Sequence, residues 1–208
     1  MLNILNLKRK AFLSVYIKNI SLIKILFVIF MIGMIYGAML IGLNRDEAVN
    51  QLGSIMQKFI NKRIEQSIFI TFASSFFSSM ILVVILFLVG FFSIGQPIAF
   101  FIPMFQGMGI GLSTAYLYSS KGISGIIFCL ILIAPTTIIS TITLLLGSKE
   151  SIRFSNKNLR TLFPQKFDQN MQGELNLYLK RFSALTIFQL VSAVVDTMCT
   201  FLFARFLG

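Results

Sequence analysis

The acidic side chains are the first candidates for chemistry, because this sequence of 208 residues contains no histidine. That absence excludes a Ser–His–Asp triad, a histidine-ligated zinc site and a histidine proton relay. Cys129 and Cys199 lie in long apolar runs, where cysteine usually acts as a small buried hydrophobe. The acids are scattered and form no paired motif: Asp46, Glu47, Glu65, Glu150, Asp168, Glu174 and Asp196. We therefore predict that the protein is not an enzyme and that it has no catalytic residue, cofactor or metal ion.

Asp196 is the one acid that lies within an apolar stretch. With Gln189, Ala193 and Thr200 it shares one face of a predicted helix, and we expect that face to look inward. A charged side chain at the centre of a bilayer costs about 2.5–3.5 kcal/mol on insertion scales. Asp196 could therefore pair with a cation, accept hydrogen bonds from neighbouring helices or bind a helix of a partner. We favour pairing within the protein.

The elements that position these side chains must be membrane helices, because the chain is 56% hydrophobic and only 12% charged. The charged share is about half that of a soluble domain, and so apolar a globule could not cover its surface with polar groups. Residues 66–120 and 122–148 carry no charge at all. Since about 20 apolar residues cross a bilayer, the first stretch suits two helices and the second suits one.

The sequence predicts an all-α integral membrane protein in which residues 1–208 form a single membrane domain with five transmembrane helices. The first is interpreted as an uncleaved signal anchor, because its apolar core exceeds the about 7–15 residues of a signal peptide. Gly95, Gln96 and Pro97 should break the chain between the second and third spans. Pro135 should kink the fourth. The five spans lie at about 22–43, 68–92, 98–118, 123–146 and 182–203.

The distribution of Lys and Arg predicts the orientation of a multi-pass protein in the cell membrane. Five spans place the N-terminal segment and residues 147–181 on one side, and these segments carry eleven basic residues against six on the other. Because basic residues are enriched on the cytoplasmic side, we predict a cytoplasmic N-terminus and an external C-terminus.

Two segments outside the spans have distinct patterns. Residues 44–66 have apolar side chains at helical spacing, which predicts an amphipathic helix on the outer surface, either flat or dipping into the bilayer. This helix could dock a partner or simply pack on lipid. The second segment is a basic cytoplasmic loop, in which Arg153, Lys157 and Arg160 share a helical face. We expect it to contact anionic headgroups of membrane lipids, with a partner surface as the alternative. Nucleic acid is not an expected partner, because the basic residues are divided between two faces of a membrane.

Glycines mark the predicted helix contacts. Gly33 and Gly37 in the first span form a Gly-x-x-x-Gly step, and so do Gly107 and Gly111 in the third, with Gly109 between them. Such steps let helix backbones approach closely in lipid, where no hydrophobic force draws helices together. We predict a packing role, with a substrate-lining surface as the alternative.

The order of these parts resembles the stage II sporulation protein M family of Gram-positive membrane proteins. The similarity covers most of residues 19–160, and the last fifty residues match only in hydropathy. The stretches that carry it are Asn19-Ile20-Ser21 with MIGMIYGA at 31–38, GFFSIGQPI at 90–98, FQGMGIGL at 105–112, and KGISG at 121–125 before Ala134-Pro135.

This resemblance implies a role in endospore formation, during engulfment. Members resemble membrane scaffolds that hold peptidoglycan-degrading partners without being hydrolases themselves. It thus implies other membrane or peptidoglycan-remodelling proteins as partners, and an oligomer is possible. Relatives also occur beside exporters of peptides such as circular bacteriocins, so a membrane component of a peptide export or ABC-type transport system is the alternative. The absence of ionisable residues from the second, third and fourth spans favours the scaffold.

Overall fold

Helices are the regular structure in the part of the chain that a computed structural model describes, which is residues 2–43, 67–130, 134–161 and 171–207. This confirms the all-helical prediction. Six helices lie within these ranges: α1 (Leu2–Leu43), α2 (Ile68–Phe91), α3 (Gln96–Lys121), α4 (Ile123–Phe128), α5 (Ala134–Thr161) and α6 (Met171–Leu207).

Four stretches of these helices are long and apolar enough to cross a membrane, counted over the described residues. They indicate a membrane protein and overlap four of the five predicted spans, although the last stretch begins ten residues before its predicted start at 182. Helix α1 begins about twenty residues before its predicted span, since no Gly or Pro interrupts residues 2–21. The four stretches are Ser21–Leu43, Ile68–Phe91, Gln96–Ser120 and Gln172–Leu202.

The remaining predicted span, at 123–146, is divided between two helices. Helix α4 covers its beginning and α5 its end, while residues 131–133, just before Pro135, lie outside the described residues. The fifth span and the kink at Pro135 therefore stay predictions. The predicted amphipathic helix at 44–66 also lies outside the described residues.

The basic segment at 147–181 is helical at both ends, although the sequence suggested a loop. Helix α5 continues to Thr161 and α6 begins at Met171, while residues 162–170 lie outside the description. No Gly or Pro interrupts residues 148–161, so the backbone can remain helical after its apolar part ends. The predicted headgroup-binding residues thus stand on the extension of a long helix.

The helices pack as two groups that meet at α5. Helix α1 lies along α3, and α2, α5 and α6 pack on one another, while α5 also contacts α3 and α1. Leu26, Leu86 and Leu144 are fully buried in the main core that joins them. Large apolar side chains cover the outside, and Phe69 and Phe105 are 78% and 73% exposed. Such a surface suits lipid rather than water.

Candidate functional site

The predicted polar face of α6 is buried among the helices. Gln189, Ala193, Asp196 and Thr200 are each at most 7% exposed, and Ser192 beside them is 1% exposed. Steps of three and four residues put these side chains on one side of α6, toward α2 and α5. The structure thus brings together Asp196 and Gln189, the two polar residues singled out within the last span.

Asp196 accepts hydrogen bonds from two other helices. The hydroxyl of Ser75 on α2 donates to one carboxyl oxygen, and Thr136 Oγ1 on α5 donates to the other at 3.3 Å. One turn along α6, Ser192 Oγ donates to the carbonyl oxygen of Thr136 at 3.2 Å. A single carboxyl group therefore links three helices.

A second polar contact continues the same line. Gln189 Nε2 donates to Ser140 Oγ on α5 at 3.4 Å. Gln189 Oε1 is buried and has no hydrogen-bond partner within the described residues, a state that typically costs about 1–3 kcal/mol. We call this set the polar seam, and its members are Ser75, Thr136, Ser140, Gln189, Ser192 and Asp196.

The chemistry available in the polar seam is hydrogen bonding. Asp196 is its one ionisable group. The hydroxyls of Ser75 and Thr136, which donate to its carboxyl, are not acids or bases near neutral pH. Across the described residues, no three His, Cys, Asp or Glu side chains come together as a metal site would require. Hydrogen bonds between membrane helices contribute about 0.6 kcal/mol each on average, with a maximum near 1.7 kcal/mol. The polar seam can therefore fix how three helices meet.

A second set of hydrogen bonds, which the sequence did not reveal, fastens the end of α2 to α5. The last carbonyls of a helix have no partner within the helix and need outside donors. Ser155 Oγ donates to the carbonyl of Phe92 at 2.7 Å, and Asn158 Nδ2 donates to that of Phe91 at 3.1 Å. Ser151 donates to the carbonyl of Leu86 from one turn earlier. The spacing of the fully buried Ser148, Ser151 and Ser155 was the available signal.

Tyr178 on α6 completes this attachment, and it too was missed. Its hydroxyl donates to the carbonyl of Phe87 at 2.8 Å, and its ring stacks on Phe154 with centroids 4.3 Å apart. Phe91 and Phe182 pack against the same ring. Tyr178 is only 3% exposed, so the end of α2 is held by buried aromatic packing as well as by hydrogen bonds.

The predicted span break lies directly after this attachment. Helix α2 ends at Phe91 and α3 begins at Gln96, with Pro97 in its first turn, where a missing backbone N–H does no harm. A methyl group on Gly95 would overlap the carbonyl oxygen of Val89, so the tight turn requires glycine. Gln96 Nε2 donates to Asn156 Oδ1 on α5 at 2.9 Å.

The glycines of the first predicted span face α3. A methyl group on Gly33 would overlap the carbonyl oxygen of Met104, and one on Gly37 would overlap that of Met108. Both overlaps are with backbone, which cannot rotate away as a side chain can. The structure thus places these two glycines where α1 and α3 approach most closely.

The glycines of α3 divide into two kinds. Methyl groups on Gly107 and Gly111 would overlap the carbonyl oxygens of Phe30 and Met34 on α1. A methyl group on Gly109 would meet nothing within 4 Å, because this residue lies on the other side of α3. Gly109, predicted to pack with the others, therefore does not take part in this contact.

The basic residues singled out on α5 lie beside acidic ones. Lys157 forms an ion pair with Glu174 on α6, and Glu150 pairs with Arg181. Arg153 lies on α5 between these two pairs, at the edge of a cleft that they line. Of Arg160, also predicted to bind headgroups, the structure describes the backbone only.

Comparison with known protein families gave one match. The model of SpoIIM, described as stage II sporulation protein M, matches residues 10–201, which is most of the chain. Comparisons with curated proteins and with solved structures gave no match.

Proposed function

Because the chain belongs to the stage II sporulation protein M family, we propose that it is a non-enzymatic scaffold of engulfment, which organises peptidoglycan-remodelling partners in the cell membrane. Membership supports the coarser statement that this is a sporulation-related membrane protein. The scaffold role and the partners are the proposal.

The observation that carries the proposal is that polar groups of the polar seam bond to one another between helices. The carboxyl group of Asp196, the amide nitrogen of Gln189 and the hydroxyls of Ser75, Thr136 and Ser140 contact one another across α2, α5 and α6, and Asp196 is 4% exposed. A transport site would instead direct its polar groups toward a cavity where a ligand binds. Groups bonded to each other fix the helices in one arrangement, and a fixed arrangement is what a scaffold requires.

The orientation belongs to the same proposal. With five spans, the count of eleven basic residues against six supports a cytoplasmic N-terminus and an external C-terminus. The segment 44–66 would then face outward, where peptidoglycan lies, and would be the surface for these partners.

The proposal is tested in a spore-forming host that lacks its own copy. The strain should form the septum and stop before engulfment. The chain supplied on a plasmid should restore engulfment. The tagged chain should co-purify peptidoglycan-remodelling proteins from sporulating cells. A strain that completes engulfment but loses export of a peptide would contradict the scaffold and favour the transport alternative.

Variants of Asp196 connect this test to the polar seam. Asp196→Asn keeps the size and most acceptor positions, so we expect partners to co-purify as with wild type. Asp196→Leu removes both interhelical bonds, so partner recovery should fall although the chain still inserts, since Leu favours the bilayer. Ser183→Leu is the control, because Ser183 is exposed on the same helix and bonds only within it. If Asn fails as badly as Leu, the charge itself matters and an ion-pair or transport role is favoured.

A further inference from the structure

The ends of α5 and α6 form a cleft whose charges do not balance. It is a shallow cleft with a volume of about 10 Å³, and it opens to the outside, so that a group larger than a water molecule would bind at its opening. Phe154 and Tyr178 line its floor. We call it the charged cleft, after its five charged residues: Glu150, Arg153, Lys157, Glu174 and Arg181.

The excess positive charge of the charged cleft falls on Arg153. Glu174 is paired with Lys157, and Glu150 with Arg181, so both carboxylates are engaged. Within the described part of the chain, no carboxylate lies within ion-pair distance of Arg153. Arg153 attracts the carboxylate of Glu174 only from beyond ion-pair distance. A partly buried guanidinium without an ion pair is stabilised by a further anion nearby.

The charged cleft lies beside the end of the apolar helix α2, where we expect the bundle to leave the membrane. Asn158 and Ser155, within five residues of Arg153 on α5, bond to the carbonyls of Phe91 and Phe92, at the very end of the apolar helix α2. Tyr178, which packs against Phe91, is the kind of amphipathic aromatic found at membrane–water interfaces. We therefore expect lipid phosphates near the charged cleft.

We propose that the charged cleft binds the phosphate of an anionic phospholipid. The fork of Arg153 donates two parallel hydrogen bonds to phosphate oxygens, which a lysine could not reproduce. The two ion pairs hold the walls of the charged cleft, and the lipid chains lie along the exposed apolar side chains nearby, such as Leu177, which is 48% exposed. This site requires only that the chain lies in a membrane. The lipid-binding proposal can therefore be tested independently of the scaffold role.

The test uses the purified full chain in dodecyl maltoside micelles, and follows its melting temperature as lipid is added. Phosphatidylglycerol should raise the melting temperature, whereas phosphatidylcholine and inorganic phosphate should not. Arg153→Gln should weaken the apparent affinity for phosphatidylglycerol about tenfold, as loss of charge-assisted hydrogen bonds implies. Lys180→Gln removes the same charge from an exposed position near the charged cleft and should leave that affinity unchanged.

Arg153→Lys keeps the positive charge but removes the planar guanidinium group. It is the second test variant if Arg153→Gln does not fold. Native mass spectrometry of this variant should show fewer bound phosphatidylglycerol molecules than wild type. Equal weakening by Arg153→Gln and Lys180→Gln would overturn the proposal, because it would show unspecific charge attraction. An equal effect of inorganic phosphate would also overturn it, in favour of a site for a free anion. The proposal would also be overturned if Arg153→Lys retained as many phosphatidylglycerol molecules as the wild type.

Discussion

The contact between α1 and α3 can be tested with a single methyl group placed on either side of α3. Gly107→Ala directs the methyl group at the carbonyl oxygen of Phe30, whereas Gly109→Ala directs it into open space. Both positions are interior to the same helix, two residues apart, so they share composition, depth and backbone conformation to a good approximation. The difference between the two variants therefore isolates the effect of the helix contact.

The magnitude follows from two opposing terms. Replacing glycine by alanine in a helix interior favours the helix by about 1 kcal/mol, and this term should be similar at both positions. At Gly107 the helices must also separate, and overpacking of this kind typically costs about 1–3 kcal/mol. A separation of about 1 Å already forfeits a quarter to a half of the dispersion energy of each contact. We expect Gly107→Ala to be less stable than Gly109→Ala by about 1–3 kcal/mol.

The assay is the melting temperature of the purified chain in one detergent. For a chain of this length, 1 kcal/mol shifts the melting temperature by about 2–4 °C, so the two variants should differ by roughly 2–12 °C. Leucine at Gly107 or Gly111 should lower the amount of protein that accumulates in the membrane, and leucine at Gly109 should not. Equal melting temperatures for both alanine variants would refute the close contact between α1 and α3.

Three other features give expected outcomes. A reporter fused after Gly208 should be active only outside the cytoplasm, and activity inside would exclude either the proposed orientation or one span. Tyr178→Phe keeps the ring but removes the hydrogen bond to the carbonyl of Phe87. Because such a bond contributes about 1 kcal/mol, the melting temperature should fall by about 2–4 °C. An unchanged melting temperature would show that packing alone holds α2. Lys157→Gln should lower the free energy of unfolding by less than about 1 kcal/mol, because the ion pair with Glu174 is about one-third exposed. A larger loss in the same melting assay would show that this ion pair stabilises the fold.

The bounds of the apolar helices could be predicted because charge and Gly–Pro breaks mark them directly. Helix α3 ends at Lys121, the charged residue between the two uncharged runs, and the turn before α3 coincides with Gly95 and Pro97. Hydropathy was less informative for α5. Its last turns are polar, and a polar run was interpreted as a loop, although its serines are buried and donate to carbonyls of α2.

The polar face of α6 could be predicted, but its partners could not. Helical spacing alone groups Gln189 with Asp196, because both lie on one helix. Ser75 and Thr136, which bond to Asp196, stand 121 and 60 residues away along the chain. No periodicity links helices at such separations, and short hydroxyl side chains are common in membrane helices. Only the packing of α2, α5 and α6 selects these two.

The two groups of helices select their neighbours in lipid by different kinds of contact. In lipid, apolar surface alone does not choose a neighbour for a helix, because the lipid chains are as apolar as leucine. Helices α1 and α3 gain specificity from glycines that bring their backbones into contact. Helices α2, α5 and α6 gain it from side chains that bond across the interface. The hydroxyls of Ser75, Thr136 and Ser155, which insertion penalises, each bond to a group on another helix or at its end, and so they select a contact. These interhelical bonds therefore favour one arrangement of α2, α5 and α6.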